Sequence, residues 1–152
     1  MSATLSALLQ LAERHRDDAL AAARTSQEQL RRLQAQREQL LSYTQDYRQR
    51  DPTLGGRSAS IDMLRYHQSF MQRLQQAVDQ QNAQVVAAQA QAEHLQKAVL
   101  PLEQKVASVK RLLERRAETA RLADQRVAQR QSDEAAQRQP RGNNPNAMPG
   151  AL

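Results

Sequence analysis

A column of apolar residues at every seventh position constrains this sequence more than any other feature. Ten consecutive members of the column, from Leu64 to Val127, are Leu, Met, Val or Ala. A second and weaker column begins three residues later, at His67. An apolar seam with a seven-residue repeat makes a helix wind around a partner helix. The sequence therefore predicts a long helix over residues 60–136 that packs against a second helix.

The stretch before it carries the same repeat. No Gly or Pro interrupts the pattern ahead of Pro52, so we predict a first helix over residues 4–50. Aromatic residues are only 3% of the chain and Trp is absent. The chain therefore has few large side chains that could fill a globular core, and the predicted fold class is all-α. The strong column holds Leu5, Ala12, Ala19, Ser26, Leu33, Leu40 and Tyr47, and the weak one holds Leu9, Arg16, Ala23, Leu30, Arg37 and Thr44.

Helix-breaking residues cluster at one interior place, a turn at residues 51–59. Pro52 has no backbone N–H to donate and disfavours helical geometry in the residue before it. Gly55 and Gly56 allow positive φ angles. A turn between two helices with matching seams folds one helix back on the other. We therefore predict an antiparallel two-helix coiled-coil hairpin.

The seams also predict which residues face each other. In an antiparallel pair the numbers of facing residues have a constant sum, and a turn centred near residue 55 gives a sum of about 111. This register sets Tyr47 opposite Leu64 and Leu30 opposite Gln81. It brings the strong column of one helix against the strong column of the other.

Three features mark the ends and the interior of the second helix. Ser58 and Ser60 are candidate N-caps, because a serine oxygen can accept a hydrogen bond from a free N–H group of the first turn. Pro101 lies within the seam, and we expect it to kink the helix at a cost of ~3 kcal/mol or more that packing offsets. Pro, Gly and Asn dominate after the seam ends, so residues 137–152 are expected to form a disordered tail.

The second helix is the longer one, and its last part is predicted to overhang. The first helix runs out near Leu5, opposite Val106, and about 30 residues of the second helix, or ~45 Å, extend beyond it. Residues 103–141 carry 10 Lys or Arg against 6 Asp or Glu. An apolar stripe on a basic helix usually needs a cover, such as another copy, another protein or an anionic surface.

Other classes of function find little support in the residues. His15, His67 and His94 have no metal-ligand spacing with one another or with carboxylates. There is no Cys for thiolate chemistry, and no Gly-rich loop that would hold a phosphate. We therefore expect no enzyme activity, no cofactor and no metal. The apolar run near the N-terminus is too short to span a membrane and lacks the features of a signal peptide, so we expect a cytoplasmic location.

The net charge of +6 favours acidic partners. Acidic residues are nevertheless interleaved with the basic ones, and aromatic side chains for base stacking are lacking. Nucleic-acid binding is therefore not expected, although a basic nucleic-acid-binding rod remains one alternative.

Residues on both sides of the turn resemble those of a known family. The first helix begins with Leu8, Leu11, Ala12 and Glu13, followed by Asp17, Asp18 and Ala19, and closes with Tyr43, Tyr47 and Arg48. After the turn come Leu64 through Phe70, then Leu74, Ala77, Val78 and Gln80. Over residues 5–136 this arrangement is similar to FliJ, the small coiled-coil protein of the bacterial flagellar export apparatus.

The resemblance implies a role and a set of partners. FliJ proteins form an antiparallel coiled coil that is similar to the central stalk of rotary ATPases, and the paired helix ends insert into the ring of the export ATPase FliI. The resemblance also implies contact with the export gate protein FlhA, handling of export chaperones, and a peripheral location on the cytoplasmic side of the cell membrane. The family's gate-binding stripe maps onto Phe70, Leu74, Ala77 and Gln81, where Gln81 stands in place of a His.

A stalk in an ATPase ring would present the overhang, and the residues expected to contact the ATPase are Leu5, Leu8, Leu113, Arg121 and Arg126. Two alternatives keep the same architecture. One is the equivalent stalk of an injectisome, and the other is a homodimeric coiled-coil scaffold without a motor partner.

Overall fold

The computed structural model describes residues 2–52 and 60–139, which form two helices. Helix α1 spans Ser2–Gln49 (48 residues) and helix α2 spans Ile61–Arg138 (78 residues). The two helices pack against each other, and no strand occurs in the described residues. The prediction of an all-α fold is confirmed, whereas the finer coiled-coil hairpin stays a prediction.

Parts of the predicted turn and tail lie outside the described residues. These parts are residues 53–59, with Gly55, Gly56 and Ser58, and residues 140–152. The tail was predicted to begin at residue 137, whereas helix α2 continues to Arg138.

The facing ends of the two helices are closed by local hydrogen bonds. Ser60 Oγ accepts a hydrogen bond from the backbone N–H of Met63 at 3.2 Å, so of the two candidate N-caps Ser60 is confirmed, while Ser58 lies outside the described residues. Asp62 adds a negative charge in the first turn of α2, where the helix dipole favours it. At the end of α1, the N–H of Arg50 donates to the carbonyl of Tyr47 at 3.1 Å, a tight bond of the kind that finishes a helix.

Burial follows the two predicted columns in both helices. In α1 every column member from Leu5 to Tyr47 is buried or half-buried. In α2 the same holds for every member from Leu64 to Leu113. The seven-residue repeat therefore identifies the packed face of each helix over these spans.

The core is a thin strip between the helices. Leu30, Val85 and Ala92 form a buried cluster, and Leu33 and Ala88 pack against it. No large side chain in the described residues is less than 2% exposed. Two helices alone cover each seam residue from one side only, so complete burial is not expected.

Three polar residues, Ser26, Thr44 and His67, are buried in this strip. Thr44 Oγ1 donates a hydrogen bond to the carbonyl oxygen of Leu40 at 2.7 Å, so its hydroxyl is satisfied within its own helix. No buried side-chain nitrogen or oxygen of the described residues lacks a hydrogen-bond partner. Polar seam residues are thus tolerated without an uncompensated loss of hydration.

The register predicted from the centre of the turn is wrong. Tyr47, predicted to lie opposite Leu64, contacts the ring of His67 with the two centroids 4.9 Å apart. It also contacts the ring of Phe70, at 4.5 Å. The residue numbers of these two pairs sum to 114 and 117 instead of 111.

Contacts further from the turn show the same shift. Gln81, predicted to lie opposite Leu30, donates from Nε2 to the carbonyl oxygen of Leu33 at 3.0 Å and to Oε1 of Gln36 at 3.3 Å. These pairs also sum to 114 and 117. Within this part of the chain, the contacting residue number falls along α1 as it rises along α2.

Side-chain direction explains part of the shift. Every Cα–Cβ bond tilts toward the N-terminus of its own helix, so a residue covers a surface about one position N-terminal to its Cα. In two helices that run in opposite directions the tilts act together and raise the sum of a contacting pair by about two. A register one heptad beyond 111, with a sum of 118, sets Leu33 opposite Val85 and Leu30 opposite Ala88, and all four belong to the core described above.

Helix α2 passes through Pro101 without a break. The proline itself is exposed, while its seam neighbours Val99 and Leu102 are buried and half-buried. The missing N–H of proline therefore falls on the outer side of the helix, and the seam continues across it in phase.

The described contacts divide between two compact units. One unit comprises Gln10–Val106, and it contains the core cluster and all of the ring and amide contacts above. The other comprises Met1–Leu9 together with Ala107–Leu152.

The second unit holds the beginning of α1 and the end of α2. Leu5 and Val109 are buried in it, at 8% and 7% exposure, and Leu113 is half-buried. Every residue from 114 to 139 is exposed. The column members in that stretch, including Ala120 and Val127, have no cover among the described residues.

Candidate functional site: interaction surfaces of the two helices

The four residues predicted to bind the export gate lie on the side of α2 that packs against α1. Leu74 is 8% exposed, and Phe70, Ala77 and Gln81 are half-buried. Two of the four make direct contact with α1, Phe70 through the ring of Tyr47 and Gln81 through its amide. Part of Phe70, Ala77 and Gln81 remains accessible, while Phe70 and Gln81 also hold the two helices together.

A group of stacked rings surrounds Tyr47. The ring of Tyr43 lies 6.5 Å from it at an interplanar angle of 24°, and that of His67 lies 4.9 Å away at 11°. The ring of Phe70 is tilted by 54°. Stacked and tilted rings at these separations attract each other beyond the apolar area that they bury. Tyr47 therefore packs against Phe70, whereas the predicted register set it opposite Leu64.

Apolar side chains near the start of α2 were not singled out by the sequence analysis. Ile61 is 68% exposed, Met63 57% and Tyr66 71%. They stand outside the heptad columns, so the pattern used to find the core could not select them. The sequence could have indicated them in another way, because they are large apolar residues at positions predicted to face water.

A shallow, open cleft of about 360 Å³ adjoins these side chains. It is lined by Tyr47, Arg50, Pro52, Asp62, Met63, Tyr66 and His67. Tyrosine and arginine beside a small apolar depression are typical of protein–protein contact sites.

All five residues predicted to contact the ATPase fall within one compact unit, the one formed by Met1–Leu9 and Ala107–Leu152. Their exposure differs. Leu5 is buried at 8%, Leu8 is 40% exposed and Leu113 is half-buried, while Arg121 and Arg126 are exposed. Leu8 and the two arginines are therefore accessible to a partner, and Leu5 contributes to packing.

The two arginines differ in their surroundings. Arg121 Nε donates to Glu118 Oε2 at 3.0 Å, and a second nitrogen of the same guanidinium reaches Oε1. This hydrogen bonding lowers the pKa of Glu118 and raises the pKa of Arg121. Both side chains are exposed, so the pair adds little to stability. The guanidinium of Arg126 makes no such pair within the described residues.

Neither a metal site nor a membrane span is found in the part of the chain that the structure describes. No group of three or more His, Cys, Asp or Glu side chains is arranged to hold a metal ion there. Of the two described helices, neither has a stretch apolar enough to cross a lipid bilayer.

A family model described as "Flagellar FliJ protein" matches residues 1–145. The chain belongs to the FliJ family. The match spans both helices of this FliJ-family chain and every candidate residue discussed above. No curated protein and no solved structure matches it.

Membership in the FliJ family has two direct consequences. It gives the chain a role related to flagellar export. It also places the chain among structural and export components, as distinct from enzymes. The resemblance found from residues 5–136 is confirmed by the family match.

Proposed function

We propose that this FliJ-family chain is the stalk of the flagellar type III export apparatus. In this role it is an antiparallel coiled-coil hairpin that binds the ring of the export ATPase FliI at one end and the export gate protein FlhA along one side. It also assists export chaperones, and it works in the cytoplasm at the inner face of the cell membrane. The family match over residues 1–145 is the observation that carries the proposal.

The lengths of the two helices support a stalk with an overhang. Helix α2 has 78 residues and α1 has 48. At ~1.5 Å per residue, the excess of about 30 residues is ~45 Å of helix that α1 cannot cover. The exposure of every residue from 114 to 139 agrees with this.

Contact with the ATPase is proposed at the unit formed by the beginning of α1 and the end of α2. Leu8, Arg121 and Arg126 are its accessible members, with Leu5 and Leu113 holding the helix ends behind them. A ring that accepts a stalk must bind it reversibly, and exposed cations favour fast association over tight binding.

Contact with the gate is proposed along the accessible edges of Phe70, Ala77 and Gln81, with Leu74 beneath them. The ring of Phe70 packs against that of Tyr47 at an angle of 54°, and an edge that is already packed costs less entropy when a partner binds.

One experiment addresses the proposal directly. The purified chain is added to its cognate export ATPase, and ATP hydrolysis and ring assembly are measured together. We expect both to increase. A variant with Arg121 and Arg126 replaced by Glu should lose most of the effect, while a matched variant with the exposed residues Arg31 and Arg32 replaced by Glu should retain it. No change in either hydrolysis or assembly with the unaltered chain would contradict the stalk role.

The family match favours the flagellar apparatus over an injectisome. Binding of the chain to the flagellar gate, but not to an injectisome gate from the same cell, would be the expected result of a pull-down with both. Preference for the injectisome gate would instead indicate that the chain is the stalk of an injectisome.

A further inference from the structure

The last part of α2, residues 114–138, is fully exposed yet keeps part of the seam pattern. We call it the C-terminal stretch. We propose that it pairs with the same stretch of a second copy of the chain, in antiparallel orientation, to form a weak dimer. Its seam positions, counting the half-buried residue just before it, are Leu113, Arg116, Ala120, Ala123, Val127, Arg130, Glu134 and Gln137.

The packing between α1 and α2 limits the registers open to such a pair. Leu33 of α1 packs against the buried cluster that contains Val85 of α2. The next seam residue after Leu33 is four positions further along the chain, and the next one after Val85 is three positions further. We apply the same rule to two antiparallel copies, so that a residue with a four-residue step faces one with a three-residue step. The numbers of facing residues then sum to 250, or to a value seven lower or higher. Only 250 pairs all eight of these positions with one another, because it sets the first of them, Leu113, opposite the last, Gln137.

The charges agree with that register, although it was chosen without them. A sum of 250 sets Glu134, which is the only acidic residue of the eight, opposite Arg116 of the second copy. The symmetry of a two-fold dimer repeats the pair, so two ion pairs form. Neither side chain has a hydrogen bond or an ion pair within the described residues, so both are free to make it.

The middle of the pair is apolar. Val127 lies opposite Ala123 of the second copy, and Ala120 leaves room for the aliphatic part of Arg130. Val127 is 52% exposed in the single chain, so pairing removes an apolar surface from water. A helix of this length on its own gains little from its backbone hydrogen bonds, and a partner helix stabilises it.

The dimer is expected to be weak. The contact is short, ~38 Å at ~1.5 Å per residue, and its apolar side chains are small. Stable protein interfaces bury on the order of 1,200–2,000 Å², and a single pair of alanine-rich helices falls at or below the lower end of that range. We therefore expect a concentration-dependent monomer–dimer equilibrium.

Pairing of this kind would compete with the proposed contact with the ATPase. Leu113 belongs to both surfaces, and Arg121 and Arg126 lie on the paired helices. The dimer does not depend on the proposed function, however, because it concerns the chain alone.

The test is the mass of the full-length chain by sedimentation equilibrium at several concentrations, without the ATPase. We expect a dimer at the highest concentrations. Glu134→Arg and Arg116→Glu should each weaken it by about tenfold or more, because each turns two attractions into two repulsions. The double variant Arg116→Glu/Glu134→Arg should restore dimerisation. Glu114→Arg makes the same charge change off the seam and should leave the dimer unchanged.

Circular dichroism of all variants checks that the helices remain folded. A chain that is monomeric at every concentration overturns the proposal. So does a dimer that neither single variant weakens. Loss of the dimer in both single variants without recovery in the double variant overturns the antiparallel register. The measurement uses no ATPase, so none of these results bears on the stalk role.

Discussion

At the residue scale, two side chains that are proposed to bind the export gate also hold the two helices together. The amide nitrogen of Gln81 donates hydrogen bonds to the carbonyl oxygen of Leu33 and to the side chain of Gln36. Phe70 rests on the ring of Tyr47. A residue whose one edge packs and whose other edge is accessible will affect stability and binding at once, so the two effects must be measured separately.

Replacing Phe70 with Ala is therefore expected to lower the free energy of unfolding by about 1–2 kcal/mol, since it removes a half-buried ring and its contact with Tyr47. Thermal unfolding followed by circular dichroism measures this. The matched control is Tyr66→Ala, because Tyr66 is 71% exposed and should change stability by less than about 0.5 kcal/mol.

Gate binding by the same two variants separates the roles of Phe70. Under the proposed function, Phe70→Ala weakens binding to FlhA at a temperature where the variant is still fully folded. Full binding by a folded Phe70→Ala protein would limit this residue to a structural role.

At the element scale, α2 shows how sharply one helix face is selected. The adjacent residues Val85 and Val86 are chemically identical, yet their exposures are 2% and 67%. A turn of 100° per residue carries the second valine out of the seam. The seven-residue repeat detects this difference because it depends only on helix geometry, which every residue of the sequence shares.

Val85→Ala is expected to destabilise the pair of helices by about 1–2 kcal/mol, because the lost methyl groups leave a gap beside Leu30 that two helices cannot close. Val86→Ala makes the same chemical change at the exposed position and is expected to be neutral or slightly stabilising, since alanine is the better helix former. Urea unfolding of both variants measures the difference. Equal losses would show that the described packing of α2 is incorrect.

At the scale of the whole molecule, burial stops well before α2 does. Leu113 is the last residue with reduced exposure, and α2 goes on to Arg138. The C-terminal stretch therefore contributes helix without contributing to the packing of the single chain. Its Arg-rich surface is instead accessible for the two contacts proposed above.

A chain that ends after residue 113 should keep its thermal midpoint within a few degrees, because no buried side chain is removed. It should lose about a fifth of its helical signal in circular dichroism, in proportion to the helix deleted. It should also lose stimulation of the ATPase and concentration-dependent dimerisation. A fall of ten degrees or more in the midpoint would mean that the C-terminal stretch packs in the single chain.

Much of this molecule follows from the sequence alone, for a physical reason. Which face of a helix is buried depends on the spacing of apolar residues, and that spacing is local. The columns from Leu5 to Tyr47 and from Leu64 to Leu113 were therefore predictable, as was the all-α class, and Ser60 was one of two candidate N-caps. The family was also recognisable, from residues on both sides of the turn.

Only the tertiary structure decided which residues meet. A slip of seven residues leaves every seam position buried, so the pattern that identifies the seam cannot choose between registers. The choice depends on how the two helices pack along their whole length, which is not a local property. For that reason the contact of Tyr47 with Phe70, and that of Gln81 with Leu33, came from the structure, whereas the seam on which they lie came from the sequence.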